Sequence, residues 1–158
     1  MRLGRRNTTP FEITSTILSF IKNDIGISAM PKFVDVNPIY PYGRCFQNVE
    51  IHVKEFSGSV QTGWVIWLAP MVLLEAEAHS VWRQPNGILI DITSKPDRER
   101  RILFVADDRV VYDGKHMPNI CRILSKDKLI ISGMKKNIAK REMESNILNK
   151  SRRSLVKK

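Results

Sequence analysis

The stretch from residue 63 to residue 108 constrains the fold most, because short apolar runs alternate there with strong turn signals. The runs read GWVIWLA, VLLEAEAHSVW, GILIDIT and RRILFVADD, and each is typical of a β-strand. Pro70 separates the first two runs, and the triplet Pro85-Asn86-Gly87 separates the second from the third. Proline and Asn-Gly favour tight turns. The pattern therefore predicts an antiparallel sheet in which a hairpin brings VLLEAEAHSVW beside GILIDIT.

Helical patterns precede and follow this predicted sheet. The segment Thr9-Pro10-Phe11-Glu12 has the capping threonine, first-turn proline and acidic residue of a helix start, and Gly26 is a suitable end. After the sheet, RVVYDG is predicted as a short fifth strand, and KLIIS as either a last strand or a helix start. Residues 134–150 predict a C-terminal helix. We therefore predict an α+β domain with N-terminal helices packed on an antiparallel sheet and a C-terminal basic helix.

Another helix is predicted from Cys45 to about Glu55, with Ser57-Gly58 ending it. It follows residues 31–43, PKFVDVNPIYPYG, whose prolines predict an extended, turn-rich approach. Its predicted buried stripe consists of Val49, Val53 and Phe56. Cys45 would then open the helix, where the positive end of the helix dipole favours a thiolate.

The positive charge of the chain is concentrated at its two ends. The formal net charge is +10, but residues 7–134 hold 14 basic and 14 acidic residues. Residues 1–6 add three arginines, and residues 135–158 hold nine basic residues against two glutamates. We expect one catalytic domain over residues 1–134 and a basic tail that is helical or partly disordered. Such a tail is either a solvated surface or a site of weak, nonspecific polyanion contact.

Membrane insertion and secretion are not expected. The longest apolar run, WVIWLAPMVLL, has 11 residues, whereas a membrane-spanning helix needs about 20. The N-terminus has no apolar stretch of a secretory signal, and the two cysteines show no disulfide spacing. These features favour a reducing, cytoplasmic setting.

Cys45 precedes a histidine and an aspartate in an order suited to nucleophilic catalysis. His79 follows 34 residues later and Asp91 a further 12. A thiolate is the reactive form of cysteine, an imidazole can take and return its proton, and a carboxylate can orient the imidazole. The hairpin would pair residue 79 with residue 91 or 92. Cys45 or His79 alone is more often a structural residue, whereas Asp91, flanked by isoleucines, needs a partner if its face of the strand is buried. The ordered set predicts a Cys-His-Asp triad.

The segments CFQNV, EAHSVW and GILIDIT resemble the transglutaminase-like branch of the papain-like cysteine enzymes, over residues 40–95. That branch has the order Cys, His, Asp, with an aromatic residue soon after the histidine and the aspartate in a D-x-T context. The resemblance implies Cys45 as nucleophile, His79 as base and acid, and Asp91 as orienting carboxylate, with no cofactor. It implies peptidase, amidase, deamidase or acyltransferase chemistry on a peptide, amide or acyl substrate through a thioester.

Two features depart from that family. Papain itself has a glutamine a few residues before its cysteine, but no glutamine stands there before Cys45. The aromatic residue, Trp82, stands three positions after His79 instead of the usual two. The oxyanion would then be bound by the Cys45 backbone N–H or by a side chain of NPIYPYG. The candidates for oxyanion or substrate binding are Asn37, Tyr40, Tyr42, Trp64, Trp67, Glu75, Glu77 and Trp82. The tryptophans are alternatively core residues, and the two glutamates the solvated face of an edge strand.

Two other interpretations stay open. A zinc site would have to use residues from the set Cys45, His52, His79, His116 and Cys121. No CxxC or HxxxH pair anchors that set, so no metal is expected. The other interpretation is a noncatalytic binding domain whose basic ends contact nucleic acid or an anionic partner.

Overall fold

The computed structural model describes residues 7–156, so the predicted basic segment 1–6 and the last two lysines lie outside the described residues. The fold is α+β, as predicted. Helix α1 (Ser15–Phe20) continues as a π-helical turn (Ile21–Ile25), followed by strand β1 (Lys32–Tyr40) and helix α2 (Cys45–Phe56). The remaining elements are β2 (Ser59–Ala69), β3 (Leu73–Arg83), β4 (Leu89–Thr93), β5 (Arg101–Ala106), β6 (Ile120–Ile123) and helix α3 (Lys128–Val156).

The six strands form one sheet that closes on itself. Their order is β2-β5-β1-β4-β3-β6, and β2 also pairs with β3 along all 11 of its residues. Neighbouring strands are antiparallel except β1 and β4, which are parallel. The prediction of a purely antiparallel sheet is therefore wrong for this pair. The reason is that the segment expected only to be extended forms β1 and inserts between β4 and β5.

Strand β3 has an interrupted edge on the side away from β2. Strand β6 pairs with residues 73–76 and β4 with residues 82 and 83. Between them, residues 77–81 have no strand partner on this edge among residues 7–156. Their outward backbone groups are therefore available to other partners, and helix α2 packs against β3.

Apolar side chains cover both faces of the sheet. One face carries a cluster of valine, isoleucine and phenylalanine from four strands: Val34, Val65, Val81, Ile102 and Phe104. The opposite face is covered by α1 and the π-helical turn through Ile17, Phe20, Ile21 and Ile25. Coverage of both faces explains why the strands appear in the sequence as continuous apolar runs instead of alternating ones.

The predicted helix start at Thr9 is wrong. Helix α1 begins after Thr14, whose hydroxyl accepts a hydrogen bond from the Ile17 backbone N–H at 3.3 Å. The Thr9 hydroxyl instead donates to the Arg101 carbonyl at 2.9 Å, so this part of the chain is held against the sheet. The predicted end is confirmed, because Gly26 caps the helical segment with a φ of 78°.

Helix α2 begins at Cys45, as predicted, and ends one residue beyond the expected position. Its buried stripe differs from the prediction. Val49 is buried, but Phe56 is 56% exposed. The polar residues Asn48 and His52 are buried in its place, and both have hydrogen-bond partners described below.

The predicted hairpin between β3 and β4 is confirmed, with a register one residue away from the expected one. Trp82 pairs with Ile90, and Arg83 with Leu89. The shift arises because the loop contains the three residues 85–87, which lie between the hydrogen-bonded residues 84 and 88. Gly87 has a φ of 86°, a conformation that favours glycine.

The segments after β5 were less well predicted. RVVYDG is not a strand, because the Asp107 carboxylate accepts hydrogen bonds from the Arg109 backbone and side chain and holds a turn. Strand β6 was not predicted from its short sequence. KLIIS forms the start of α3, one of its two predicted alternatives.

The predicted C-terminal basic helix is confirmed as α3, which begins at Lys128. All eight of its basic residues are exposed, namely Lys128, Lys135, Lys136, Lys140, Arg141, Lys150, Arg152 and Arg153. No helix within residues 7–156 has both the length and the apolar composition needed to cross a membrane.

Gly63 lies where β2 closely approaches β5. A Cβ atom there would lie 2.2 Å from the Val105 carbonyl oxygen and 2.6 Å from the Phe104 ring. We expect Gly63→Ala to lower the free energy of unfolding by about 1–3 kcal/mol, because the core has no room for the methyl group. Gly133→Ala is the control, since Gly133 lies in α3 with open space around it. It should raise stability by about 0.5–1 kcal/mol. Urea unfolding measures both, and wild-type stability of Gly63→Ala would contradict the close approach.

Candidate active site

A cavity of about 600 Å³ opens at the N-terminus of α2. Cys45 and His79 line it, together with Tyr42, Glu77 and Lys95. The chain enters α2 through Gly43, whose φ of 84° allows the turn that follows β1. This turn brings the first residue of α2, Cys45, to the interrupted edge of β3.

The Cys45 thiol lies beside two groups on β3, the His79 side chain and the Ser80 backbone. Ser80 belongs to the stretch of β3 that has no strand partner on the edge away from β2. Burial raises the pKa of Cys45, but the charge and hydrogen bond of His79, the Ser80 N–H and the charge of Lys95 together lower it below its usual value of 9.0. The site therefore favours the thiolate.

The His79 ring connects the thiol to a carboxylate. Its Nε2 atom lies 2.8 Å from Asp91 Oδ2, which leaves Nδ1 for Cys45. Burial and the Lys95 charge lower the pKa of His79, whereas Asp91 and Cys45 raise it, and the result is a pKa of about 9. The charges around the ring therefore favour an imidazolium beside a thiolate.

Asp91 is 0% exposed, and both of its oxygens accept hydrogen bonds. Oδ1 accepts from the Thr93 backbone N–H at 3.0 Å. Oδ2 contacts His79 and also the Lys95 ammonium nitrogen, at 2.5 Å. Burial raises the pKa of Asp91, but His79 and Lys95 outweigh it and lower the pKa to about 2. The carboxylate is therefore charged at neutral pH.

The structure thus brings together Cys45, His79 and Asp91, which lie on α2, β3 and β4. The hairpin supplies the contact between β3 and β4, and the interrupted edge of β3 supplies the place for α2. Cys45 at the start of α2, the buried His79 ring and the buried Asp91 carboxylate thus lie in a row beside the cavity, and His79 and Asp91 are hydrogen-bonded to each other.

Several supporting residues were missed in the sequence. Asn48 lies one helical turn after Cys45, and its side-chain amide donates to Thr93 Oγ1 at 3.0 Å and to the Pro41 carbonyl at 2.9 Å. These bonds fasten α2 to β4 beside the row of three. The D-x-T context pointed to Thr93, and the i+3 spacing from Cys45 could have pointed to Asn48. Lys95 was not singled out.

The other predicted site residues are divided between two locations. Tyr42 and Glu77 line the cavity, and Glu77 accepts a hydrogen bond from Trp67 Nε1 at 2.9 Å. Burial raises the pKa of Tyr42, and the nearby charges of Glu77, Asp97 and Cys45 raise it further. Tyr42 and Glu77 thus lie with Cys45 at the cavity, and Trp67 joins them.

Three of the predicted residues lie elsewhere. Asn37 is exposed on β1 and does not line the cavity. Trp64 donates to the Asp107 carboxylate at 2.9 Å, and Trp82 donates to the Ser57 carbonyl at 3.0 Å. Both tryptophans therefore hold loops to the sheet.

His52 and Tyr40 form a separate buried contact. His52 Nδ1 lies 3.2 Å from the Tyr40 hydroxyl, and its ring packs against Trp82 and Phe56. Burial lowers the pKa of His52, and Glu55 partly opposes this shift. This histidine is a packed core residue, away from the cavity lining.

Helix α3 forms one wall of the cavity. Its Arg141 and Arg152 line the cavity, and Arg141 donates to the buried Glu75 carboxylate at 2.6 Å. Further along, Ser145 lies 2.9 Å from His116 Nδ1. Glu75 is thus an anchor for α3 and not part of a solvated strand face, since it is 3% exposed.

The second cysteine has a different environment. Cys121 lies opposite Glu75 in the pairing of β6 with β3 and does not line the cavity that contains Cys45. Burial and the Glu75 charge raise its pKa to about 11. As for the zinc interpretation, residues 7–156 contain no group of three His, Cys, Asp or Glu side chains placed to hold a metal ion.

Comparisons of this chain with protein-family models, with curated proteins and with solved structures found no match. The function is therefore inferred from the chemistry of the site.

Proposed function

We propose that this protein is a cysteine-dependent enzyme that acts on an amide or acyl group through a thioester on Cys45. The observation that supports it is the row in which Cys45 lies beside His79, whose Nε2 lies 2.8 Å from Asp91 Oδ2. The cavity beside this row gives a substrate access to the sulfur. These are the parts that nucleophilic catalysis by cysteine requires.

The first half of the proposed reaction forms the thioester. The Cys45 thiolate attacks the carbonyl carbon of the substrate, and the carbonyl electron pair moves to oxygen. The His79 imidazolium gives its proton to the leaving amine as the C–N bond breaks. Asp91 holds the ring by Nε2 throughout, so that the Nδ1 side stays directed to the sulfur and the leaving group.

The second half releases the acyl group. Neutral His79 takes a proton from a water or amine acceptor, which attacks the thioester carbon. The C–S bond then breaks and restores the thiolate. With water the protein is a peptidase, amidase or deamidase, and with an amine it is an acyltransferase.

The oxyanion formed in each half needs hydrogen-bond donors. Cys45 is the first residue of α2, and the N–H groups of a first helical turn have no partner within the helix. Its own N–H is therefore one candidate donor. Tyr42 is the other candidate. It lines the cavity and lies close enough to Cys45 for the thiolate charge to raise the pKa of the tyrosine hydroxyl.

Membership of the transglutaminase-like branch of papain-like enzymes is part of the same proposal. It is supported by the chain order of Cys45, His79 and Asp91. Cys45 lies at a helix start, and His79 and Asp91 lie on adjacent strands.

The proposal is tested by trapping the acyl-enzyme. The protein is incubated with a panel of activated acyl esters and fluorogenic peptide amides, and intact mass is measured with and without neutral hydroxylamine. We expect one hydroxylamine-labile acyl group on the wild type and on Cys121→Ala, and none on Cys45→Ala. Substrate turnover that persists in Cys45→Ala would refute the proposal.

A second candidate is a binding role for the basic helix α3. It is supported by the exposed side chains of Lys135, Lys136, Lys150 and Arg153. Two other exposed cations of the helix, Arg141 and Arg152, also line the cavity. Binding of this kind would be unchanged by Cys45→Ala, so the same variant separates the two candidates.

A further inference from the structure

Lys95 is a buried lysine within the proposed active site. It follows β4, four residues after Asp91, and its side chain is 4% exposed. Lysine is almost never buried in this way unless it is paired. The burial of its ammonium group therefore indicates that its partners hold it in place.

The partners of Lys95 are two members of the row of three. Its Nζ atom lies 2.5 Å from Asp91 Oδ2 and 3.2 Å from His79 Nε2. The same carboxylate oxygen thus contacts both the ammonium and the imidazole. The Lys95 charge therefore offsets part of the effect of the Asp91 carboxylate on His79.

We propose that Lys95 is a positioning residue that sets the pH range over which Cys45 and His79 form a thiolate–imidazolium pair. This inference rests on the proposed function, because it concerns the same nucleophile. The ammonium acts through Asp91 and His79 and is not itself required to touch the substrate. It holds the carboxylate in place and limits how strongly that carboxylate favours the charged imidazole.

The direction of the effect follows from electrostatics. The positive charge of Lys95 lowers the pKa of Cys45 and also opposes protonation of His79. Removing it should therefore shift both titrations to higher pH. Tyr42, Glu77 and Asp97 are charged or titratable groups that interact near Cys45. Other charged or titratable groups line the same cavity: Glu75, Glu99, Lys115, His116, Arg141 and Arg152. These groups remain unchanged in a Lys95 variant, so they do not account for a shift.

The test uses variants that separate charge from shape, all in a Cys121→Ala background. Lys95→Met removes the charge and the donor, Lys95→Gln removes only the charge, and Lys95→Arg keeps both. The control is Lys115→Met, which removes an exposed cation of the same cavity that pairs with Asp113. Thermal unfolding of each variant verifies folding, and the Gln variant gives the same test if the Met variant does not fold.

Two titrations are recorded without any substrate. The rate of iodoacetamide alkylation against pH reports Cys45, and NMR of labelled histidine rings reports His79. We expect both midpoints to rise by about one pH unit in Lys95→Met and Lys95→Gln, and to stay in place in Lys95→Arg and Lys115→Met.

Midpoints that stay at their wild-type pH in Lys95→Gln would overturn the inference, and so would an equal shift in Lys95→Arg. A shift as expected supports the inference even if no acyl-enzyme is trapped, so failure of the proposed function is distinguishable from failure of this inference.

Discussion

His79→Gln is expected to slow alkylation of Cys45 at pH 6 by about 10–100-fold, because loss of an adjacent positive charge raises the pKa of the thiol. Without the imidazolium, burial acts on the thiol with less opposition, since burial raises the pKa of Cys45 and His79 is the largest influence that lowers it. At pH 6 only about 0.1% of a thiol with the usual pKa of 9.0 is ionised. Loss of the general acid should also slow thioester formation by about 10²–10⁴-fold.

The measurement is the iodoacetamide reaction followed by peptide mass spectrometry, which reads the two cysteines separately. Cys121 is the internal control, because its pKa of about 11 keeps it slow in every variant. His116→Gln is the matched histidine control, since His116 lines the cavity but has its ring bonded to Ser145. An unchanged Cys45 rate in His79→Gln would show that the imidazole does not activate the thiol.

Asp91→Ala is expected to lower the free energy of unfolding at pH 7 by about 3–5 kcal/mol. Removing one member of a buried charge cluster leaves the others without compensation. In this variant the Lys95 ammonium and the His79 ring would both lose their carboxylate partner. Asp113→Ala is the control, because Asp113 forms an exposed ion pair with Lys115. Its expected cost is about 0–1 kcal/mol.

The difference in free energy of unfolding between the wild type and Asp91→Ala should depend on pH in a defined direction. The pKa of Asp91 falls from 3.8 to about 2 on folding, so its contribution is present above pH 4 and is lost as the pH falls towards 2. The pKa of His79 rises from 6.5 to about 9, so its contribution is present below pH 6.5 and is lost as the pH rises through 9. Urea unfolding of the wild type and Asp91→Ala should therefore converge between pH 4 and pH 2. A constant difference over that range would contradict the assignment.

The parts of the fold that depend on local patterns were predictable. The Pro-Asn-Gly turn fixed the β3–β4 hairpin to within one residue, and the glycine-led entry to α2 placed Cys45 at a helix start. These two local features suffice to bring Cys45, His79 and Asp91 near one another. An error of one residue in the predicted β3–β4 pairing is smaller than the distance that these side chains can span.

The features that depend on distant contacts were not predictable from one sequence. The pairing of β1 with β4 is parallel and joins segments about 55 residues apart, so no turn signal marks it. Lys95 lies in a polar loop whose composition predicts a solvated ammonium, and only the closed sheet reveals that Asp91 and His79 bury it. Phe56 shows the converse, an apolar residue at helical spacing that lies beyond the covered part of α2.

Helix α3, which forms one wall of the cavity, is attached to the sheet differently from the strands that carry His79 and Asp91. The helix is attached through polar contacts such as Arg141 to Glu75 and Ser145 to His116, and the Arg141 side chain is 43% exposed. Dissolved ions weaken a partly exposed ion pair such as Arg141 to Glu75, whereas they leave apolar packing of the strands almost unaffected. We therefore expect high salt to loosen the attachment of α3 while the reacting groups keep their spacing.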